Sequence, residues 1–136
     1  MIRTATANDI DAVLALWDTS GPPSKSLPDT EAGVLALLDR DPGALLLAED
    51  DGAVVGTVVV TFDGWRCYMY RMAVAHSHRR RGIGRALVAA AEARIRDLGG
   101  VRADALTLTD DEAARAFWHS VGYEPDNRLT RWGKLL

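Results

Sequence analysis

The hydrophobic pattern of this chain changes its period between residues 74 and 83. Over residues 66–74 the side chains alternate between two faces, as they do in a strand. Over residues 82–98 apolar side chains recur every three or four positions, which is helical spacing, and Gly99-Gly100 ends the run. A strand that leads through a short turn into a long helix is typical of domains in which helices cover a sheet.

Three more helices are predicted by the same spacing, over residues 8–18, 30–41 and 111–121. Asn8 or Thr6 is expected to cap the first helix, and Asp29 the second, because their side-chain oxygens can accept from the unpaired amides of a first turn. Residues 21–26 contain two prolines, which fix φ and remove donors, so we expect a loop there.

Strand patterns are predicted over residues 44–49, 54–62 and 103–108, with one or two short final strands at Tyr123 and 129–136. The turn residues 50–52 make the first two strands a hairpin, and residues 66–74 add a third antiparallel strand. The strand at 103–108 follows the long helix, so it is expected to pair in parallel. These elements predict one α+β domain over residues 1–136, with a mixed, helix-covered sheet.

The composition is that of an ordinary globular domain, because 48% of the 136 residues are hydrophobic and 26% are charged. Cys67 is the one cysteine, so no internal disulfide is expected. The first 16 residues lack a basic start followed by an apolar run, and no segment approaches the roughly 18 apolar residues of a membrane span. We therefore expect a cytoplasmic location and no membrane partner.

Charge is distributed unevenly along the chain. Residues 1–64 carry 3 basic and 11 acidic side chains, whereas residues 65–136 carry 13 basic and 8 acidic ones, which gives net charges of −8 and +5. A general nucleic-acid binder relies on a broad basic face, which this distribution does not provide. We expect no nucleic-acid partner, but the charge distribution is compatible with a local anion site in residues 65–136.

The turn before the long helix reads Arg79-Arg80-Arg81-Gly82-Ile83-Gly84-Arg85. A helix N-terminus offers unpaired N–H groups and a partial positive charge, and glycines let a diphosphate approach the backbone. A solvated basic turn or a nucleic-acid contact are alternative interpretations of the arginines. A dinucleotide fingerprint would need a third glycine where Leu87 stands, and a P-loop would need Gly-Lys-Ser/Thr, which is absent.

In this turn, and along practically its whole length, the chain resembles the GNAT superfamily of acetyl-CoA-dependent N-acetyltransferases. The family signature, Arg/Gln-x-x-Gly-x-Gly/Ala between the fourth strand and the third helix, is matched by residues 79–84. The other matching segments are Glu49-Asp50-Asp51-Gly52, Val55-Gly56, Met72-Ala73-Val74, Asp111-x-x-Ala114-x-x-Phe117-Trp118 and Gly122-Tyr123. The resemblance implies an α+β GNAT fold, with a mixed, mostly antiparallel twisted sheet of about six to seven strands and about four helices.

The resemblance also implies direct transfer of acetyl from the cosubstrate acetyl-CoA to an amine, with no metal. The fourth strand would carry a bulge and splay from the fifth, and the amide near Met72 would stabilise the oxyanion. The coenzyme-binding residues that it implies are Met72, Ala73, Val74, Arg79, Arg80, Arg81, Gly82, Ile83, Gly84, Arg85, Asp111 and Trp118.

Proton transfer departs from the family pattern. Many relatives place a tyrosine where this chain has Trp118, which cannot protonate the leaving thiolate. Relatives often place a glutamate or histidine base at the positions of Tyr68 and Tyr70, which are therefore our catalytic candidates, as water relays or as acids. The alternative is that both tyrosines only line the acceptor pocket.

Several other residues permit two interpretations each. Asp111 either contacts the pantetheine or only caps a helix. Cys67 is a packed thiol rather than a nucleophile, since no histidine or acid lies at an activating spacing. His76 and His78 lack a third ligand, so exposed loop residues are favoured over a metal site.

The acceptor is expected to be a small-molecule or protein amine, attracted by the acidic first half of the chain. Its contacts are expected from residues 21–30, from the fourth strand and from the C-terminal segment with Trp132. The alternatives are a GNAT-fold coenzyme-binding or regulatory module without turnover and, less directly, nucleic-acid binding through Arg79–Arg81. Members of the resembled family often form homodimers, and a homodimer stays open here.

Overall fold

The computed structural model describes residues 1–20 and 27–136, in which one sheet has the strand order β1-β2-β3-β4-β5. Neighbouring strands are antiparallel from β1 to β4, and β5 is parallel to β4, so the predicted mixed, mostly antiparallel sheet is confirmed. The strands are Ile2–Thr4 (β1), Leu45–Asp50 (β2), Ala53–Phe62 (β3), Cys67–Val74 (β4) and Asp104–Ala105 (β5).

Four α-helices cover the two faces of the sheet, as predicted. They are Ile10–Thr19 (α1), Glu31–Arg40 (α2), Ile83–Asp97 (α3) and Glu112–Ser120 (α4). Short 3-10 turns precede α1 at Ala7–Asp9 and follow β4 at His76–His78. None of the helices in the described residues is long and apolar enough to cross a membrane.

The core lies in two layers, one on each side of the sheet. On one side α3 and α4 pack with Leu87, Ile95 and Trp118 against Met69 of β4. On the other side α1 and α2 pack against β2 and β3 around Leu47, which is fully buried. The central strand β3 is covered on both faces, and its run of β-branched residues suits that position.

The strand count differs from the predicted six to seven, because residues 123–136 contain no strand. β5 is only two residues long, so it gives a further strand little to pair with, and Trp132 is 90% exposed. The sequence pattern also did not predict the three-residue β1. The cap of α2 is another correction, since Thr30 accepts from Gly33 N and Asp29 instead pairs with Arg71. The loop predicted at residues 21–26 lies outside the described residues.

A pH-dependent ion pair joins β1 to the start of α1. Arg3 donates to both carboxylate oxygens of Asp9 at 2.8 Å, and these bonds lower the pKa of Asp9 to about 2. A carboxylate whose pKa is lower in the folded than in the unfolded state stabilises the fold at pH values above its unfolded pKa. The stabilisation by Asp9 is therefore present above about pH 4 and is lost towards pH 2.

We therefore expect Asp9→Asn to lower the free energy of unfolding by roughly 1 kcal/mol at pH 7, after allowance for solvent screening. The difference from the wild type should shrink towards zero at pH 2, as measured by urea denaturation across pH. Asp39→Asn removes an exposed carboxylate that forms no ion pair in the described part of the chain, and it serves as the control. If the difference in free energy of unfolding between Asp9→Asn and the wild type were independent of pH, the ion pair with Arg3 would not be its cause.

Candidate active site

The arginine-rich turn connects the end of β4 to the start of α3. Arg80 and Gly82 both have positive φ, at 62° and 82°, and Gly82 is the N-cap of α3. Within the described residues, no acceptor pairs with the main-chain N–H groups of residues 80–85. Main-chain donors of this kind, together with the helix dipole, are the groups that bind anions in proteins.

The four arginines of the turn divide into two pairs. Arg79 donates to Val74 O at 3.2 Å and Ser20 O at 3.1 Å, so it ties the end of β4 to the end of α1. Arg85 donates to Ser120 O at 3.2 Å, at the C-terminal end of α4. Arg80 and Arg81 are exposed and have no such partner among the described residues, so their guanidinium groups are available to an anion.

The two glycines of the turn serve different purposes. A Cβ on Gly82 would meet no atom of the described residues within 4 Å, so this glycine is required by its positive φ and leaves open space above the turn. A Cβ on Gly84 would lie 2.8 Å from Cε1 of Phe117, so this glycine lets α4 pack closely against α3. From the sequence, both glycines were expected to contact the diphosphate.

A bulge and an open strand edge lie beside the turn. Val59 pairs with Tyr70 but Thr57 pairs with Ala73, so β4 carries one extra residue opposite Val58. β5 pairs with β4 only at Tyr68 and Met69, and Leu106 N donates the next bond, at 2.9 Å, to Met69 O. The bulge and the divergence of the two strands agree with the geometry that the resemblance implied.

The divergence leaves the end of β4 without a paired strand on that side among the residues that the structure describes. Ala75 N donates to Val55 O at 2.8 Å, so Ala75 and Ala73 direct their main-chain groups towards β3. The alternation of a strand then directs those of Val74 to the opposite side, towards the opening between β4 and β5. Met72 and Val74 are half-buried and Ala73 is buried at this opening.

The candidate tyrosines lie on the face of β4 that is opposite to the buried Cys67 and Met69. Tyr68 is 42% and Tyr70 36% exposed. Partial burial raises the pKa of Tyr70 above its usual value, and its hydroxyl has no hydrogen-bond partner among the described residues. A phenol that stays protonated at neutral pH can donate a proton or position a water, but it is not a base.

Two predicted coenzyme contacts near α4 have structural roles. Asp111 accepts from Ala114 N at 3.0 Å and therefore caps α4. Trp118 is only 6% exposed, and its ring packs edge-on between Phe117 and Tyr123, with centroid distances of 5.4 and 5.0 Å. Because the Trp118 indole is buried against these two rings, little of its surface is open to a ligand, and its coenzyme contact stays a prediction.

The remaining candidates are also occupied by packing or pairing. Cys67 is fully buried, and burial raises the pKa of its thiol to about 11, so it stays protonated and unreactive. His76 Nε2 lies 3.2 Å from Thr19 O, and His78 Nε2 lies 2.9 Å from an Asp50 carboxylate oxygen. In residues 1–20 and 27–136, no group of three or more His, Cys, Asp or Glu could hold a metal ion.

Sequence reasoning missed a buried hydrogen-bond network under the bulge. Trp17 Nε1 donates to Thr57 Oγ1 at 2.8 Å, and Thr57 Oγ1 donates to Arg71 O at 2.9 Å. Arg71 in turn pairs with Asp29 and lies 5.3 Å from the centre of the Trp17 ring. The sequence signal that could have indicated this network is Thr57, a single threonine within the apolar run of residues 54–60 with no polar residue next to it.

Comparisons with known proteins agree with this geometry. The model of the acetyltransferase (GNAT) family matches residues 10–123. Acetyltransferase SG1711 of Sodalis glossinidius is 28% identical over 135 residues, which cover 99% of this chain and 94% of that protein. Ard1 from Thermoplasma volcanium superposes with a TM-score of 0.78 at 26% identity, over 90% of this chain and 80% of that one.

A second solved structure with a similar fold is that of the PaiA N-acetyltransferase from Thermoplasma acidophilum, in complex with coenzyme A. It superposes with a TM-score of 0.79 at 13% identity, over 93% of this chain and 91% of that one. At this identity the likeness concerns the fold alone.

Proposed function

The chain belongs to the acetyltransferase (GNAT) family, and we propose that it transfers acetyl from acetyl-CoA directly to a primary amine within a ternary complex. The observation that carries the proposal is the row of main-chain N–H groups at residues 80–85, which have no acceptor among the described residues and follow the open end of β4. An anion site next to an unpaired strand edge suits a ligand that is a diphosphate at one end and an amide-containing arm at the other. PaiA, which has the same fold, binds coenzyme A.

The expected binding mode follows from these two features. The coenzyme A diphosphate would accept from the amides of residues 80–85, with Arg80 and Arg81 close enough to add charge. The amide groups of the pantetheine arm would pair with the outward main-chain groups of Val74, in the place that a continued β5 would occupy. The thioester would then lie beside the bulge at Arg71 and Met72.

The transfer would proceed by attack of the neutral amine on the acetyl carbonyl. The carbonyl oxygen gains negative charge, and a main-chain amide at the bulge would stabilise it. Collapse of the tetrahedral intermediate breaks the C–S bond, and coenzyme A leaves as a thiolate that takes up a proton while the new amide nitrogen loses one. The Tyr70 hydroxyl, which is protonated at neutral pH, would supply or relay the proton to sulfur.

Tyr70→Phe is expected to lower kcat about three- to tenfold, with the Kd of coenzyme A unchanged within about twofold, because only the proton relay is lost. Tyr68→Phe removes the same hydroxyl from the other candidate, two residues farther from the bulge, and a smaller effect there would assign the role to Tyr70. Steady-state thiol release and calorimetry measure the two quantities. An unaltered kcat in Tyr70→Phe would show that this tyrosine only lines the acceptor pocket.

The proposal is tested by amine-dependent thiol release from acetyl-CoA, over a panel that contains polyamines, aminoglycosides and peptides with a free N-terminus. At least one amine is expected to accelerate release well above the rate without amine. Tight acetyl-CoA binding with no amine-dependent release would instead favour a coenzyme-binding module without turnover, for which the buried Trp118 at the usual tyrosine position is the argument.

A further inference from the structure

Thr57 is the only polar side chain that is fully buried in the described part of the chain. Its hydroxyl accepts from Trp17 Nε1 at 2.8 Å and donates to Arg71 O at 2.9 Å. A hydroxyl has one proton, so this arrangement uses that proton on the Arg71 carbonyl. A buried polar group in an apolar strand weakens packing, and its presence here calls for a specific purpose.

The carbonyl that Thr57 holds belongs to the bulge. Arg71 is a non-glycine residue at φ 52°, a conformation that is costly for a side chain with a Cβ. The Arg71 guanidinium pairs with Asp29 and lies over the Trp17 ring, so contacts from α1, β3 and the start of α2 all hold this residue in place. The surrounding structure therefore fixes the bulge in one conformation.

The Arg71 carbonyl and the Met72 N–H belong to one trans peptide unit and point in opposite directions. Because Thr57 binds the carbonyl on the β3 side, the Met72 N–H must point away from Thr57. The opposite side of β4 is the side on which β5 diverges.

We propose that Thr57, supported by Trp17, is a positioning residue for acetyl transfer. It orients the peptide between Arg71 and Met72 so that the Met72 N–H is directed at the oxygen of the thioester carbonyl. The inference rests on the proposed function, and it names the residues, Thr57 and Trp17, that align the Met72 N–H as the oxyanion donor. A donor that is already aligned stabilises developing charge without reorganisation during the reaction.

The test is Thr57→Val, which removes the hydroxyl and keeps the shape of the side chain. We expect kcat to fall at least about tenfold, because a misaligned oxyanion donor loses much of its effect. The Kd of coenzyme A should change less than about threefold, because the diphosphate turn is a separate segment. Amide hydrogen exchange at Ala73, which pairs with Thr57 next to the bulge, should speed up in the same variant.

Two further variants serve as controls. Thr61→Val removes another β3 threonine that donates to a β4 carbonyl, Tyr68 O at 3.3 Å, but outside the bulge, so it should leave kcat within about twofold of the wild type. Thr57→Ser keeps the hydroxyl and should restore most of kcat. Should Thr57→Val fail to fold, Trp17→Phe removes the donor to Thr57 together with part of the ring that lies against Arg71, and it should lower kcat while coenzyme A affinity is kept.

A folded Thr57→Val with wild-type kcat would overturn the proposal, whatever the exchange at Ala73. An equal loss of kcat in Thr61→Val, or a loss of coenzyme A affinity that matches the loss of kcat, would overturn it too, since either result indicates a general structural role. Failure of the proposed function is distinguishable, because the wild-type protein itself would then show no amine-dependent thiol release. The exchange measurement would still report on the bulge in that case.

Discussion

Replacing Gly82 by aspartate is expected to raise the Kd of coenzyme A about 100-fold, which corresponds to about 2.8 kcal/mol. The new side chain would enter the open space above the turn, where a Cβ meets no atom of the described part of the chain within 4 Å. A carboxylate there would stand next to the diphosphate, and two charges about 5 Å apart repel by roughly 3 kcal/mol at the effective dielectric of a protein surface. Calorimetric titration with coenzyme A measures the change.

Gly82→Asn is the matched control, because asparagine has the shape of aspartate and also tolerates positive φ. Its Kd should rise only a few-fold. If the two variants weakened binding equally, the backbone and not the charge would be responsible. If Gly82→Asp bound coenzyme A as tightly as the wild type, the diphosphate would not lie at this turn.

Gly84→Ala is expected to lower the free energy of unfolding by about 2 kcal/mol, which is within the range for an overpacked contact. The added methyl would lie 2.8 Å from Cε1 and 3.0 Å from Cζ of Phe117, both closer than carbon atoms normally approach. Either the ring or the whole of α4 must shift away from α3. Urea denaturation at constant temperature measures the loss.

A second substitution tests the cause. Phe117→Leu shortens the side chain, so Gly84→Ala should cost much less in that background, and the double-mutant cycle should show a favourable coupling energy. Phe117→Leu alone also loses some packing and supplies the reference for the cycle. Additive effects of the two substitutions would show that the Gly84 methyl and the Phe117 ring do not meet.

The strand, turn and helix around residues 67–97 could be predicted from sequence because each element has an uninterrupted hydrophobic period and a clear end. The edges of the sheet could not. β1 is three residues long, which is too short for a period to be recognised, and it depends on pairing with β2. Residues 129–136 have strand-forming composition, but strand formation needs a partner, which the two-residue β5 does not offer.

The candidate site was predictable where the chemistry is local. The arginine-rich turn before α3 combines main-chain amides with neighbouring glycines and arginines, all within seven residues. The roles of Arg79 and Arg85 were not predictable, because their partners, Ser20 and Ser120, are 59 and 35 residues away. The contact of Thr57 with Trp17 and Arg71 likewise depends on the packing of α1 against β3, which no short motif encodes.

The central claim is that the turn before α3 and the open edge of β4 bind acetyl-CoA. Its most direct test is a calorimetric titration of the wild-type protein with acetyl-CoA, followed by free coenzyme A. We expect one site per chain with micromolar affinity, competition by free coenzyme A, and loss of most of that affinity in Gly82→Asp. A folded protein that binds neither molecule would contradict the claim, and the proposed acetyl transfer would fall with it.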